Sequence, residues 1–300
     1  MKKFLIFLAV FFIIASCTQQ RKLGYFSQFD IDFGEDETLE IMTWNIQHFP
    51  KDSLTVSRVA SAINELDVDV VGLQEIESQA GFVELVQELN SYRPIWQGYR
   101  AVSDEWDQNL AFIYKQQLNV EKIYEIYLAE KYDYAFPRRP LVMELEFAAQ
   151  PLVVINNHLK ASGGQENEER RRQANLLLQE FIETNYNTEN VVLIGDLNDE
   201  ISESETKNVF WNFIEADEDF LFADTKIAAD STAKWSYPYW RYRGHIDHII
   251  ITNELFDEFN SAESEVRTIT LDKYLPDGWN QHFREITDHR PVAIKLDFAD

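Results

Sequence analysis

Short apolar runs recur through this chain, and nearly every Asn, Gln, Glu, Asp or His suited to binding a metal sits beside one of them. The runs are Leu39 to Trp44, Val68 to Leu73, Leu110 to Tyr114, Val142 to Phe147, Leu152 to Asn156, Val191 to Ile194, Ile246 to Thr252 and Val292 to Leu296. Their length suits strands rather than helices. Between them lie amphipathic stretches. Val56, Val59, Ala60, Ile63 and Leu66 follow helical spacing after a cap expected at Asp52 or Ser53, and Phe82, Leu85, Val86 and Leu89 repeat the pattern. A third, highly charged helix is expected from Gln165 to Glu183, with Leu176, Leu177, Phe181 and Ile182 on its apolar side. No repeat, low-complexity block or interior linker interrupts this alternation, so it predicts one α/β domain over residues 39–300.

The residues that end the runs are chemically of one kind. Asn45 follows the first run, Gln74 and Glu75 the second, Asn157 and His158 the fifth, Asp196 and Asn198 the sixth. Asp247 and His248 open a late run, and Asp288 and His289 precede the last. Each alone reads as a turn former, a cap or a half-buried histidine. Together they form a set that α/β architectures gather at strand ends. Carboxylates for a hard divalent cation, amides to orient and imidazoles to move protons are what hydrolysis of a phosphate ester requires.

Composition narrows the setting. With 45% apolar and 14% aromatic residues, the 300-residue chain can bury a sizeable core and is neither disordered nor collagen-like. Its 27 basic and 52 acidic residues leave a net charge of −25, which argues against coating nucleic acid by bulk electrostatics while leaving room for a locally basic cleft. One cysteine allows no internal disulfide, and no CxxC pair offers a structural zinc site.

That cysteine has another use. Lys2 and Lys3 precede an apolar run from Phe4 to Ile14, which is too short for a spanning helix and has the length of a signal-peptide core. Ile14-Ala15-Ser16-Cys17 resembles a bacterial lipobox. The expectation is a signal peptide over 1–16, a lipidated Cys17 with a tether over 17–38, and export to a membrane surface facing the periplasm or the cell exterior.

Six stretches resemble the endonuclease/exonuclease/phosphatase superfamily, the DNase I-like group. They are Thr43-Trp44-Asn45-Ile46, Val70-Val71-Gly72-Leu73-Gln74-Glu75, Asn157-His158-Leu159-Lys160, Leu193-Ile194-Gly195-Asp196-Leu197-Asn198, Gly244-His245-Ile246-Asp247-His248-Ile249 and Thr287-Asp288-His289-Arg290-Pro291-Val292. The resemblance implies a four-layer sandwich, with two packed, mainly antiparallel sheets flanked by helices. It implies Mg2+ or Mn2+ at Glu75, with Asn45 and Asp288 completing or supporting the site. It further implies His289 as a base held by Asp247, Asp196 and Asn198 as orienting groups, and His158 on the phosphate or leaving oxygen. The usual acidic partner of that last histidine is not fixed by Asp107-Gln108-Asn109-Leu110.

Basic residues crowd these motifs: Arg138, Arg139, Lys160, Arg241, Arg243 and Arg290, with Arg170 to Arg172 expected as a solvated face paired with Glu166, Glu168 and Glu169. Aromatics cluster in two loops, at Tyr132, Tyr134 and Phe136, and at Trp235, Tyr237, Tyr239, Trp240 and Tyr242. Lys160, Arg139, Trp240 and Arg243 are the candidates for substrate contact. The expected activity is that of a monomeric phosphodiesterase acting on nucleic acid. A lipid or inositol phosphoesterase is the same-site alternative. A silent binding module would have lost one of Glu75, Asp196, Asp247 or His289, and all four are present.

Overall fold

The computed structural model describes residues 22–102, 108–230 and 235–299. In chain order the elements are β1 (Thr38–Phe49), α1 (Thr55–Leu66), β2 (Val70–Ile76), α2 (Gln79–Tyr92), β3 (Trp96–Arg100), β4 (Asn109–Lys115), β5 (Asn119–Glu125), β6 (Leu141–Phe147), β7 (Gln150–His158), α3 (Gln165–Asn185) and β8 (Asn190–Asp196). They continue with α4 (Trp211–Glu215), β9 (Phe220–Phe222), α5 (Thr225–Ala228), β10 (Asp247–Thr252), α6 (Phe256–Asn260), β11 (Glu265–Thr268), α7 (Gly278–Glu285) and β12 (Val292–Asp297).

Two six-stranded sheets result, ordered β11-β12-β1-β2-β4-β3 and β5-β6-β7-β8-β10-β9. Each is antiparallel except for one pair. β1 runs parallel to β2 across α1, and β7 parallel to β8 across α3, because a parallel pair needs a helical crossover. Side chains on these central strands alternate between two apolar layers. Leu39 and Ile41, Val70, and Val192 and Ile194 meet between the sheets, while Met42, Trp44, Val71 and Leu73 face α1 and α2. Val191 and Leu193 turn to the far side, against Leu178 and Ile182 of α3. Burial on both faces explains the unbroken apolar runs. The sheets approach so closely at Gly72 that an added Cβ would lie 2.5 Å from Ile194 Cδ1.

The four strands that the apolar pattern does not reveal, β3, β5, β9 and β11, are the four sheet edges. An edge strand needs no continuous apolar run and is protected by charge, as in the Asn119–Glu125 and Glu265–Thr268 segments.

Three further expectations change. The cap of α1 is Leu54, with no side-chain bond, and Asp52 instead accepts the Leu54 N–H through Oδ1 at 2.9 Å. Part of the segment read as tether is packed: Phe26, Ile31 and Phe33 are buried against α1, and the Phe26 N–H donates to Ser61 Oγ at 2.7 Å. The three arginines of α3 are not a solvated face. Arg171 is buried on Asp199, and Arg170 and Arg172 donate to the backbone of Tyr134 and Asn208, although Arg172 does keep the expected pair with Glu169 at 3.6 Å. Cys17 and the signal segment lie outside the described residues, among which no helix is long and apolar enough to cross a membrane.

Candidate active site

The two parallel pairs end side by side. β1 and β2 bring Asn45 and Glu75 to one end of the first sheet, while β7 and β8 bring His158 and Asp196, directly paired in register, to the same end of the second. Asp247 starts β10 opposite Asp196 because β10 runs antiparallel to β8. Asp288 and His289 arrive just before β12, which is antiparallel to β1. Gly195 is required for this register. Its φ is +151°, and a Cβ there would lie 2.0 Å from Asn157 O. Glu75 and Asn198 also take left-handed backbone, with φ of 62° and 57°, a cost that such residues carry where structure around them fixes a site.

Asp196 is the centre of the arrangement. Its Oδ2 accepts from Asn45 Nδ2 at 2.9 Å and lies 3.4 Å from His158 Nε2 and 3.8 Å from His289 Nε2. The same Asn45 amide donates to Glu75 Oε1 at 3.2 Å. His289 Nδ1 is 2.8 Å from Asp247 Oδ2, which fixes the proton on Nδ1 and leaves Nε2 for chemistry. Asn198 donates its backbone N–H to Asp196 Oδ1 at 3.1 Å and its amide to Leu159 O at 3.2 Å. Of these groups, Glu75, His158, Asp196, Asn198 and His289 line a cleft of about 890 Å³ together with Asp288, Tyr237, Tyr242 and Arg243.

Electrostatics separates the two histidines. Burial, then Arg138, His289 and Lys160, hold His158 well below the ordinary imidazole range, so it is neutral. Burial also opposes the His289 cation, but Asp247, Asp196 and Asp288 outweigh it and raise His289 to about 10. The Asp196 carboxyl is pushed up by burial, with Asp247 and Glu75 adding to the effect. Asp196 and His289 thus compete for one proton across 3.8 Å. His158 Nδ1 has no hydrogen-bond partner among the described residues, and Asp107 lies outside them.

The donor set suits a hard cation. Glu75, Asp196 and Asp288 are carboxylates gathered at one place: burial and then Glu75 push Asp288 up, and Glu75 adds to the rise of Asp196. Oxygen donors with unneutralised charge are what Mg2+ or Mn2+ takes. Glu75 also falls with His48 and Glu77 in a group whose ligand atoms lie within 4.8 Å of one another, and Asp196, Asp247 and His289 form a second such group.

Other expected groups are placed differently. Arg139 binds Asp133 and donates to Phe136 O at 3.0 Å, within its own loop. Lys160 donates to Ala161 O at 2.9 Å. Arg290 grips Asp272 with two bonds of 2.8 Å and so anchors the loop carrying Asp288 and His289. Gln74 is not at the site: it joins the sheets by donating to Asn156 Oδ1 at 2.7 Å. Trp240 is exposed, on a loop that also supplies Tyr237.

Sequence reasoning missed several participants. Gln47 Nε2 donates to Asp288 Oδ2 at 2.7 Å, a role that its position two residues after Asn45 could have suggested. Ser236 Oγ accepts the N–H groups of Ile246 and Asp247, both at 3.1 Å. Behind it lies a buried relay. Asp224 Oδ2 is 2.8 Å from His245 Nε2 and 2.6 Å from His248 Nδ1, and His248 Nε2 donates to Asp199 O at 2.9 Å. Nothing in the sequence near Asp224 signals this.

Two six-stranded sheets flanked by helices, with an acid–imidazole cluster at one shared end, define a DNase I-like α/β sandwich. The model of the endonuclease/exonuclease/phosphatase family matches residues 42–289, and the chain belongs to that family, whose members hydrolyse phosphate esters with a divalent metal. Comparison with curated proteins finds no match. Among solved structures, the human nocturnin catalytic domain with bound sulfate is similar over 93% of this chain and 100% of that one, with a TM-score of 0.62 and 17% identity. A family protein from Bacteroides vulgatus is similar over 87% and 99%, with a TM-score of 0.60 and 18% identity. D. rerio TDP2 complexed with single strand DNA product is similar over 87% and 99%, with a TM-score of 0.61 and 15% identity.

Proposed function

We propose that this protein is a divalent-metal-dependent phosphodiesterase acting on nucleic acid. The observation that carries the reading is the convergence of Glu75, His158, Asp196, Asp288 and His289 on one cleft, with Asn45 and Asp247 bonded to them, from six separate segments. Glu75, with Asn45 and Asp288 beside it, would hold Mg2+ or Mn2+, which supplies charge neutralisation and polarisation of the phosphoryl group. Water attacks phosphorus and the bond from phosphorus to the leaving oxygen breaks, as the water proton passes to His289 Nε2, after that nitrogen has released its own proton to Asp196. Asp247 keeps the ring oriented and stabilises its cation. His158, buried and neutral, sits 3.4 Å from Asp196 Oδ2, within reach of a proton relayed to the leaving oxygen. Asn198 and Arg243 orient the phosphate.

The solved TDP2 complex with a DNA product supports nucleic acid as substrate. Attachment through Cys17 after export is part of the same proposal, supported by the order of basic residues, apolar run and lipobox-like end. The anchor also favours a second reading, a phosphoesterase of membrane lipids or inositol phosphates. Incubation with plasmid DNA, RNA, sphingomyelin and inositol phosphates, with Mg2+ or with chelator, separates the two. Nucleic-acid cleavage that stops with chelator is expected, and turnover of lipid alone would reverse the assignment.

A further inference from the structure

One feature of the cleft is not used by the chemistry. Aromatic rings lead outward from the catalytic imidazole in an unbroken series. Tyr237 lies 4.8 Å from His289 between ring centres, Tyr239 follows at 6.0 Å, and Tyr239 is in turn 6.2 Å from Trp240 and 6.0 Å from Phe283. The outer end is open to solvent: Trp240 is 64% exposed, and Phe283 and neighbouring Tyr242 are exposed as well. Cations flank it, with the Arg241 guanidinium 4.4 Å over Trp240 and the Lys51 amine 4.6 Å over Phe283. Exposed rings gathered in one patch mark a binding surface rather than a core.

We infer that this ladder seats the unpaired bases of a single-stranded nucleic acid whose phosphodiester lies at His289. The inference rests on the phosphodiesterase reading and names its substrate class. Three observations favour a single strand. Every base has a face that stacks on Tyr or Trp, and bases in a duplex have already given those faces to their neighbours. The Arg241 guanidinium beside the rings can pair with one phosphate backbone, whereas the Lys51 amine already donates to Gln47 and, at 2.7 Å, to Phe283 O. A second backbone would meet a chain of net charge −25 with Glu168, Glu200 and Glu203 along the same cleft, where Arg171 is already held by Asp199 and Arg243 is taken up by the reacting phosphate. The inner end of the series is the imidazole itself, so a strand laid on the rings carries its backbone to the reacting nitrogen.

The test measures binding by fluorescence anisotropy of the full chain in chelator, which prevents turnover. The probes are a labelled oligothymidylate, an abasic strand with the same number of phosphates, a blunt duplex and phosphatidylcholine vesicles. The oligothymidylate should bind at least about tenfold tighter than the abasic strand and tighter than the duplex, as stacking on two or more rings implies. Tyr239→Ala with Trp240→Ala should bring the two strands together, while Tyr239→Phe with Trp240→Phe, which keeps the ring faces, should preserve the difference. Equal binding of base-bearing and abasic strands by the unaltered protein would overturn the inference. So would duplex binding as tight as single-strand binding, or vesicle binding that the alanine pair abolishes. Turnover of bis(4-nitrophenyl) phosphate with Mg2+ is scored separately, so failure of the phosphodiesterase reading is distinct from failure of the ladder.

Discussion

The amide of Asn45 and the carboxylate of Asp196 stand 2.9 Å apart, and they belong to different sheets. One hydrogen bond therefore joins the two halves of the sandwich at the catalytic end. The same amide reaches Glu75 Oε1 at 3.2 Å, so Asn45 holds apart two carboxylates that would otherwise repel.

Asn45→Asp replaces that bridging donor with a third acid. Without metal the variant should lose stability on the order of 1–3 kcal/mol, and Mg2+ should restore more of its melting temperature than it adds to the parent protein. Thermal unfolding with Mg2+ and with chelator measures both. An equal metal-induced shift in the two proteins would contradict the role given to Asn45.

Asp247→Asn leaves a group of the same size at 2.8 Å from His289 Nδ1 but removes the charge that orients the ring and stabilises its cation. The value of kcat/KM should fall by about 10²- to 10⁴-fold, and His289→Asn should fall at least as far. The double variant should lose little more, because the two act as one unit. Additive losses in a steady-state assay would show that they act separately.

The buried Asp224–His248 pair sets a pH dependence of stability. Burial opposes both charges, but His248 and then His245 hold the Asp224 carboxyl below its usual range, and Asp224 raises His248 above its own. A depressed carboxylate contributes stability above its unfolded value and loses it as pH falls through the folded one. A raised imidazole contributes below its unfolded value and loses it as pH rises through the folded one. Their joint contribution is therefore greatest between about pH 4 and 6.5. Asp224→Asn should cost about 3–5 kcal/mol in that window by leaving a buried charge unpaired. Urea midpoints against pH would show this, and a variant with the parent's pH profile would contradict it.

Gly195→Ala tests the register. Its Cβ would have to enter space 2.0 Å from Asn157 O at a φ of +151°. Destabilisation of at least about 2 kcal/mol is expected, with activity lost alongside stability. A variant as stable as the parent, by denaturant unfolding, would mean that β7 and β8 do not close as described.

How much of this was readable beforehand depends on where each residue sits. The central strands, buried on both faces, wrote apolar runs into the sequence, whereas the edges β3, β5, β9 and β11 did not. Residues at or near the ends of the apolar runs in central strands, such as Asn45, Glu75, His158 and Asp196, could be found because one short segment carries both strand and ligand. Gln74 follows such a run too but turns inward to Asn156, and period-two alternation alone does not say which sheet face has a partner. Arg171 looked solvated amid glutamates, yet the fold places Asp199 beside it. Asp224 with His245 and Ser236 with Asp247 are long-range pairs that only tertiary structure brings together.

The central claim is that this acid–imidazole cluster hydrolyses phosphodiesters with a divalent metal. The direct measurement is turnover of bis(4-nitrophenyl) phosphate by the parent protein and by Glu75→Gln, in Mg2+, in Mn2+ and in chelator, with Mn2+ binding followed in parallel by electron paramagnetic resonance. Turnover by the parent should require metal, and Glu75→Gln should weaken both Mn2+ binding and turnover by at least about tenfold. Turnover that persists in chelator, or a Glu75→Gln protein that binds Mn2+ and turns over like the parent, would contradict it.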